Sequence, residues 1–262
     1  MLWQDIREEF FETLEEEFIS DLLEKNAPWE VLRHLKEFLY SSISKLPRLV
    51  PQEVPFSKNL FITTQGEIIP YDEILNENGR YYYKGEEIKG ALVMAGAFIK
   101  GRQIYLGANV KVEPFSYLEE PAYFSENTQI RQGAYIRGAV YTGKGAIVGH
   151  TTEVKNSIFL REAKAAHFAY VGDSILGAHV NLGAGTKLAN LKFHRKEIIL
   201  EIKGVKIKTG LNKMGALLGD RVQTGCNAVL SPGILLGKDS LIYPGVCVAS
   251  GYYPPKTKIK SK

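Results

Sequence analysis

The feature that most constrains this chain is a hydrophobic period of six. Stepping by six from Leu106 gives Val112, Leu118, Phe124, Ile130, Ile136, Thr142, Val148, Val154 and Leu160. Two places earlier run Ile104, Val110, Ser116, Ala122, Thr128, Ala134, Val140, Ala146 and Thr152, so one column is bulky and the other mostly small. A helix repeats every ~3.6 residues and a strand every ~2, and neither a helix nor a hairpin sheet sustains this pattern. Two inward columns per repeat describe a short strand, a turn, and another strand at ~120° to the first, so three repeats close a triangular coil of about 18 residues. Coils then stack at the ~4.8 Å spacing of paired strands, with glycine suited to corners where φ is positive. A second run in the same phase relation passes through Leu218, Thr224, Leu230, Leu236, Ile242 and Val248.

Two breaks interrupt the repeat. One is expected near His167, where the series moves to Tyr170, Leu176, Leu182 and Leu188, and a longer one spans Asn190 to Lys213. Within the longer break, Glu197 to Ile202 and Val205 to Thr209 flank Lys203-Gly204, which predicts an extruded β-hairpin. Ahead of the repeat, Ile6, Phe10, Leu14, Phe18 and Leu22 fall on one helical stripe, predicting a helix over Leu2 to Leu23. Pro28 suits a first helical turn, so a second helix is expected to about Ser44. Pro47, Pro51 and Pro55 mark a linker, and Leu60 to Thr63 and Tyr81 to Tyr83 read as short strands. The expected organisation is a helical hairpin over 1–46, a linker and short-strand region over 47–100, a β-helix over 101–252 and a basic tail over 253–262.

Composition removes several function classes. Two cysteines, Cys226 and Cys247, make no disulfide framework, and the acidic N-terminus is unlike a signal peptide, so a cytoplasmic location is expected. No apolar stretch approaches the ~18 residues of a membrane span. The net charge of +4 is dispersed except for the lysines from Lys256 to Lys262, a solvated end too short and aromatic-poor for nucleic acid. Arg137 and Lys155 each follow a bulky inward residue one coil apart, so they should stack on one corner ~5 Å apart. Like charges at that spacing repel unless an anion lies between them, which makes this a candidate phosphate site; the alternative is a solvated edge. His167 is a candidate general base near neutral pH, or a hydrogen-bonded wall residue.

The order and spacing of Glu153-Val154-Lys155, Ala166-His167-Phe168-Ala169-Tyr170-Val171-Gly172-Asp173 and Val180-Asn181-Leu182-Gly183-Ala184-Gly185-Thr186, ending at Asn190, resemble a known family. They are similar to the acetyltransferase domain of bifunctional UDP-N-acetylglucosamine-synthesising enzymes, within the hexapeptide-repeat acyltransferase superfamily. Ala189 to Lys192 and Lys213 to Asp220 are closer to the archaeal-type sugar-1-phosphate nucleotidyltransferase/acetyltransferases, which carry a comparable hairpin. The resemblance implies a mainly β fold, a left-handed parallel β-helix, a homotrimer, and acetyl-CoA as donor to an amino-sugar phosphate. It implies His167 as base, Arg137 and Lys155 on phosphate, Tyr170 and Asn181 on sugar, and Lys196 beyond the loop. Ala184, Asn190 and Cys226 would lie near the acetyl carrier or acceptor. Some superfamily members are zinc carbonic anhydrases, but His150, His167, His179 and His194 lack their H-x4-H spacing, so no metal is expected.

Leu191 stands where the bacterial enzymes place tyrosine, and Cys226 where they place serine, a thiol being the weaker donor. The Gly-x-Gly-Thr-Arg phosphate loop is missing, and Gly183-Ala184-Gly185-Thr186-Lys187 is a decoy inside the repeat, so nucleotidyl transfer is not expected. Direct acetyl transfer to an amino-sugar phosphate or nucleotide-sugar amine is the leading reading. The alternatives are a silent sugar-phosphate-binding or assembly module that recruits a protein through residues 1–46, and an acyl-carrier-protein-dependent acyltransferase of lipid A type. The helices of 1–46 would otherwise cover the open first coil.

Overall fold

The structure, a computed structural model, describes residues 2–12, 14, 18–47 and 54–261. Pro51 of the expected linker and Lys262 of the tail lie outside them. Alternating strands and corners wind a left-handed β-helix with three parallel faces. The first face is the main part of an eleven-stranded sheet, with parallel strands from Gly90–Val93 to Lys258–Ile259. The second face runs from Phe98–Lys100 to Cys247–Val248, and the third from Ile104–Leu106 to Gly251–Tyr253, with eight strands each. The stack thus reaches beyond 101–252 at both ends, and Lys258–Ile259 of the basic tail pairs with Leu241–Ile242.

The bulky column from Leu106 to Val154 and the later column from Leu218 to Val248 fill the prism. The earlier phase break, however, lies at Asn156 and not at His167. Tyr135 pairs with Glu153, one full coil on, but Val140 pairs with Ser157, so the corner after Lys155 is one residue shorter than the Gly138-Ala139 corner before it. Asp173 makes the same one-residue turn in the next coil, and both Asn156 (φ 45°) and Asp173 (φ 48°) have left-handed backbone, which Asn and Asp tolerate best. Counting by six assumes corners of equal length. Hence Phe159, not Leu160, faces the axis, and Val171 does so in place of Tyr170.

The open edge of the first coil is covered by Leu60–Thr63, which pairs antiparallel with Gly90–Val93, while Ile68–Pro70 pairs on its far side. Phe56 closes the axis, donating its N–H to Ala97 O at 2.9 Å and accepting from Gly96 N at 2.7 Å. A side chain at Gly90 would put its Cβ 2.3 Å from the Ile62 carbonyl oxygen, so this junction requires glycine.

Outward side chains of the third face are apolar: Tyr105, Tyr123 and Tyr141 stack at centroid spacings of 4.7 and 5.6 Å, followed by Ile158, Ile175, Leu217 and Leu235. The N-terminal segment lies on this face and buries Trp3, Ile6, Phe10, Ile19, Leu23, Leu35 and Leu39 there. It therefore covers a side of the prism and not its open end, and of the expected stripe Ile6, Phe10 and Leu14 are buried within the chain while Phe18 is 40% exposed. The expected single helix over Leu2 to Leu23 is also divided, into Leu2–Ile6, a turn at Arg7–Glu9, and Ser20–Lys25. The cause is competition for backbone groups. Glu9 O and Phe10 O each accept from the solenoid, from Lys238 N and Asp220 N at 2.8 Å, and Glu12 N donates to Asp220 Oδ2 at 2.8 Å.

Pro28–Ile43 is one helix with Pro28 in its first turn, and the Glu30 carboxylate accepts the Ala27 N–H at 3.1 Å. The extruded hairpin pairs Ile199–Ile202 with Val205–Lys208 around Lys203 and Gly204, both with positive φ, and buries Ile198, Leu200 and Ile202 on the third face. No described helix is long and apolar enough to cross a membrane.

Candidate functional site on the second face

The second face carries Arg137, Lys155 and Tyr170 of the polar residues singled out above. Alternation about the buried Ile136, Val154 and Val171 turns two columns outward. Tyr135, Glu153, Tyr170 and Lys187 form the column near the first face. Lys100, Glu119, Arg137, Lys155 and Gly172 form the column near the third. Along the latter the charge alternates from Lys100 to Glu119 to Arg137 and then fails to alternate at Lys155.

Arg137 and Lys155 thus occupy consecutive positions on one edge, and both line a cavity of about 310 Å³. Arg137 is partly compensated: its Nη1 donates to Glu153 Oε1 at 2.6 Å, a bond that outweighs desolvation and raises its pKa further. Lys155 forms no ion pair among the described residues. Asp173, also at the cavity, accepts from Asn156 Nδ2 at 2.9 Å and from Asn190 Nδ2 at 2.5 Å. Asn190 in turn hydrogen-bonds Tyr170, whose pKa is raised first by burial and then by the charges of Glu153 and Asp173. A polar chain therefore crosses the face from Tyr170 to the cation edge.

His167 stands at the opposite edge. It ends the first-face strand Lys164–His167, opposite His150, and is exposed. Below it the corner carbonyls form a ladder: His167 O accepts from Gly185 N (3.0 Å), Ala184 O from Asn227 N (2.8 Å) and Cys226 O from Gly245 N (2.8 Å). His167, Ala184 and Cys226 consequently share one column. Asn181 is outward on the first face, in register with Lys164 and Gln223. Lys196 is exposed in the excursion, its backbone N–H donating to His194 Nδ1 at 3.1 Å, and Leu191 bridges to Lys213. The cation cavity is not lined by His167, Tyr170, Asn181 or Lys196. A single chain thus presents two groups of these residues on the two edges of one open face.

Sequence reasoning missed Glu153 and Asp173 as partners. Glu153 was findable, because one coil before it stands Tyr135, two places from Arg137. The corner shortening at Asp173 carried no such signal. It also missed Arg33, Lys36 and Glu37 of the helix, which line the same cavity.

A family model for the GMPPB C-terminal domain matches residues 118–262, more than half of the chain. The chain belongs to this family. A bifunctional sugar-1-phosphate nucleotidylyltransferase/acetyltransferase of Sulfurisphaera tokodaii is 37% identical over 152 residues, covering 53% of this chain and 38% of the relative. The bifunctional protein GlmU of Methanococcus vannielii is 42% identical over 109 residues, 42% of this chain and 26% of its own. That of Picosynechococcus is 38% identical over 120 residues, 46% of this chain and 23% of its own. The chain thus spans less than half the length of these relatives, and the resemblance read from the sequence is the one they display.

Proposed function

We propose that this chain is an acyltransferase that moves the acetyl group of acetyl-CoA to the amine of an amino-sugar phosphate resembling glucosamine 1-phosphate, or of a nucleotide sugar. The observation that carries the reading is the in-register stacking of Arg137 and Lys155, a like-charge pair that a phosphate converts into charge-assisted hydrogen bonds. The Sulfurisphaera tokodaii relative, a sugar-1-phosphate nucleotidylyltransferase/acetyltransferase, supports it. In the reaction the neutral His167 imidazole takes a proton from the amine as its nitrogen attacks the thioester carbonyl. The C–S bond breaks, the amide C–N bond remains, and the coenzyme leaves as a thiolate that is then protonated. Tyr170, Asn181 and Lys196 contact the sugar or its phosphate; Ala184, Asn190 and Cys226 border the acetyl group.

Because the two residue groups lie on opposite edges of an open face, the reading includes a homotrimer in which a neighbouring copy closes the site, in the cytoplasm where acetyl-CoA is available. The test is coenzyme A release with glucosamine 1-phosphate, a nucleotide-linked amino sugar, and an acyl-carrier-protein thioester as alternative donor. Acetyl-CoA turnover should fall by about 10²–10⁴-fold in His167→Ala with melting unchanged. Turnover independent of His167, or absent with every amine, overturns the reading. Binding without transfer is the second reading, favoured by Leu191, which supplies no hydroxyl where the bacterial enzymes carry tyrosine. It predicts thermal stabilisation by sugar phosphates but none by acetyl-CoA.

A further inference from the structure

The cavity beside Arg137 and Lys155 has a second wall. Leu32, Arg33, Lys36 and Glu37, successive positions on one side of the helix Pro28–Ile43, line it from above the corner. That wall is fixed at two points. Asn156 Nδ2, at the shortened corner, donates to the Leu32 carbonyl at 3.2 Å, and the Arg33 guanidinium donates to the Thr209 carbonyl at the base of the extruded hairpin. Lys36 lies one turn further along a helix held on both sides.

The charges at this cavity are unequally committed. Glu120 accepts the backbone N–H groups of Arg102 (2.6 Å) and Gln103 (2.9 Å), and Asp173 is held by Asn156 and Asn190. Arg33 and Arg137 each have an acceptor. Lys36 and Lys155 form no ion pair among the described residues: Lys36 Nζ lies 5.9 Å from the centroid of the Tyr40 ring, and the two lysines line one concavity from different parts of the chain, with Glu37 the sole lining carboxylate that has no described partner.

We infer that Lys36 and Lys155 form a two-sided clamp for a phosphoryl group, making the N-terminal helix part of the substrate site. The inference rests on the proposed sugar-phosphate reading and adds a specificity-determining residue from outside the matched region 118–262. A phosphomonoester and the diphosphate of a nucleotide sugar share the chemistry, the diphosphate offering more anionic oxygens to two ammonium groups. A compact ammonium on a flexible stem suits such a point contact.

The test is calorimetric titration of the parent protein and of Lys36→Gln, Lys36→Arg and Lys155→Gln with glucosamine, glucosamine 1-phosphate and a nucleotide-linked amino sugar. Lys36→Gln should weaken binding of the phosphorylated ligands about tenfold, leave unphosphorylated glucosamine unaffected, and be largely restored in Lys36→Arg, with an unchanged melting temperature because Lys36 is exposed. A greater loss for the nucleotide sugar identifies the diphosphate as the natural source; an equal loss identifies the monophosphate. Equal affinity of Lys36→Gln and the parent protein, or no phosphate-dependent binding by the parent, overturns the clamp. Coenzyme A release measured in parallel separates the two ideas. Transfer that persists with Lys36 irrelevant refutes only the clamp, and Lys36-dependent binding without transfer refutes only the acyltransferase reading.

Discussion

The second and third faces of this solenoid are built by the same winding, yet their outward columns differ. On the third, Tyr105, Tyr123, Tyr141, Ile158, Ile175, Leu217 and Leu235 meet the N-terminal segment and the hairpin in a continuous apolar layer. On the second, Lys100, Glu119, Arg137, Lys155 and Tyr170 carry charge and hydroxyl outward, and the segments that cover the third stop at its edge. Strand geometry alone does not distinguish them. One face contributes stability because its outward side chains lose water, and the other is left for chemistry because its own do not.

The largest test of this contrast is truncation on each side. Leu217→Ala removes a fully buried side chain between the solenoid and its cover and should cost about 2–5 kcal/mol in urea unfolding, whereas Tyr135→Ser on the half-open second face should change stability by no more than about 0.5 kcal/mol. Comparable losses at both would dissolve the distinction.

A smaller effect is expected from acid. Burial works against the charge of Glu9, but hydrogen bonds from Lys203 and Tyr252 outweigh it and lower its pKa from the ordinary 4.5. Arg221 likewise lowers Glu12 and Asp239. The stability these three supply is complete above their unfolded values and is lost as pH falls through the depressed folded ones. Asp220, raised by burial, has the opposite sign, its cost being relieved as pH falls. Acidification below 4.5 should therefore release the arm first, read as a red shift of the buried Trp3 while the β-sheet signal of the coils persists.

The smallest effect sharpens the second face. Glu153→Gln frees Arg137 from an exposed ion pair worth ~0.2–1 kcal/mol and should tighten sugar-phosphate binding about threefold in calorimetry. A weaker complex would show that Glu153 helps bind the ligand.

The prism interior was legible because most positions of the bulky inward column are large and apolar, and the hairpin was legible because Lys203-Gly204 sits between two short runs rich in apolar residues. The phase slip at Asn156 was misplaced because a corner one residue short changes no hydrophobic count until the next strand. The broken first helix was misread because its stripe of Ile6, Phe10 and Leu14 also fits a segment lying along a sheet, and the acceptors that claim its backbone are more than 200 residues away, as from Glu12 to Asp220. Within the candidate site, the Arg137–Lys155 register followed from simple addition. The approach of Lys36 did not, since it depends on how a helix outside the repeat docks.

Those long separations bear on how the chain is made. Glu9 bonds Lys203 and Tyr252, and Arg221 bonds Glu12, so the anchors of this arm lie about 200 residues or more further along the chain. During synthesis the coils can stack one upon another as they emerge, each needing only its predecessor. The arm, although it emerges before them, has nowhere to settle until those later coils exist, and its Trp3, Phe10 and Phe11 remain in water until then.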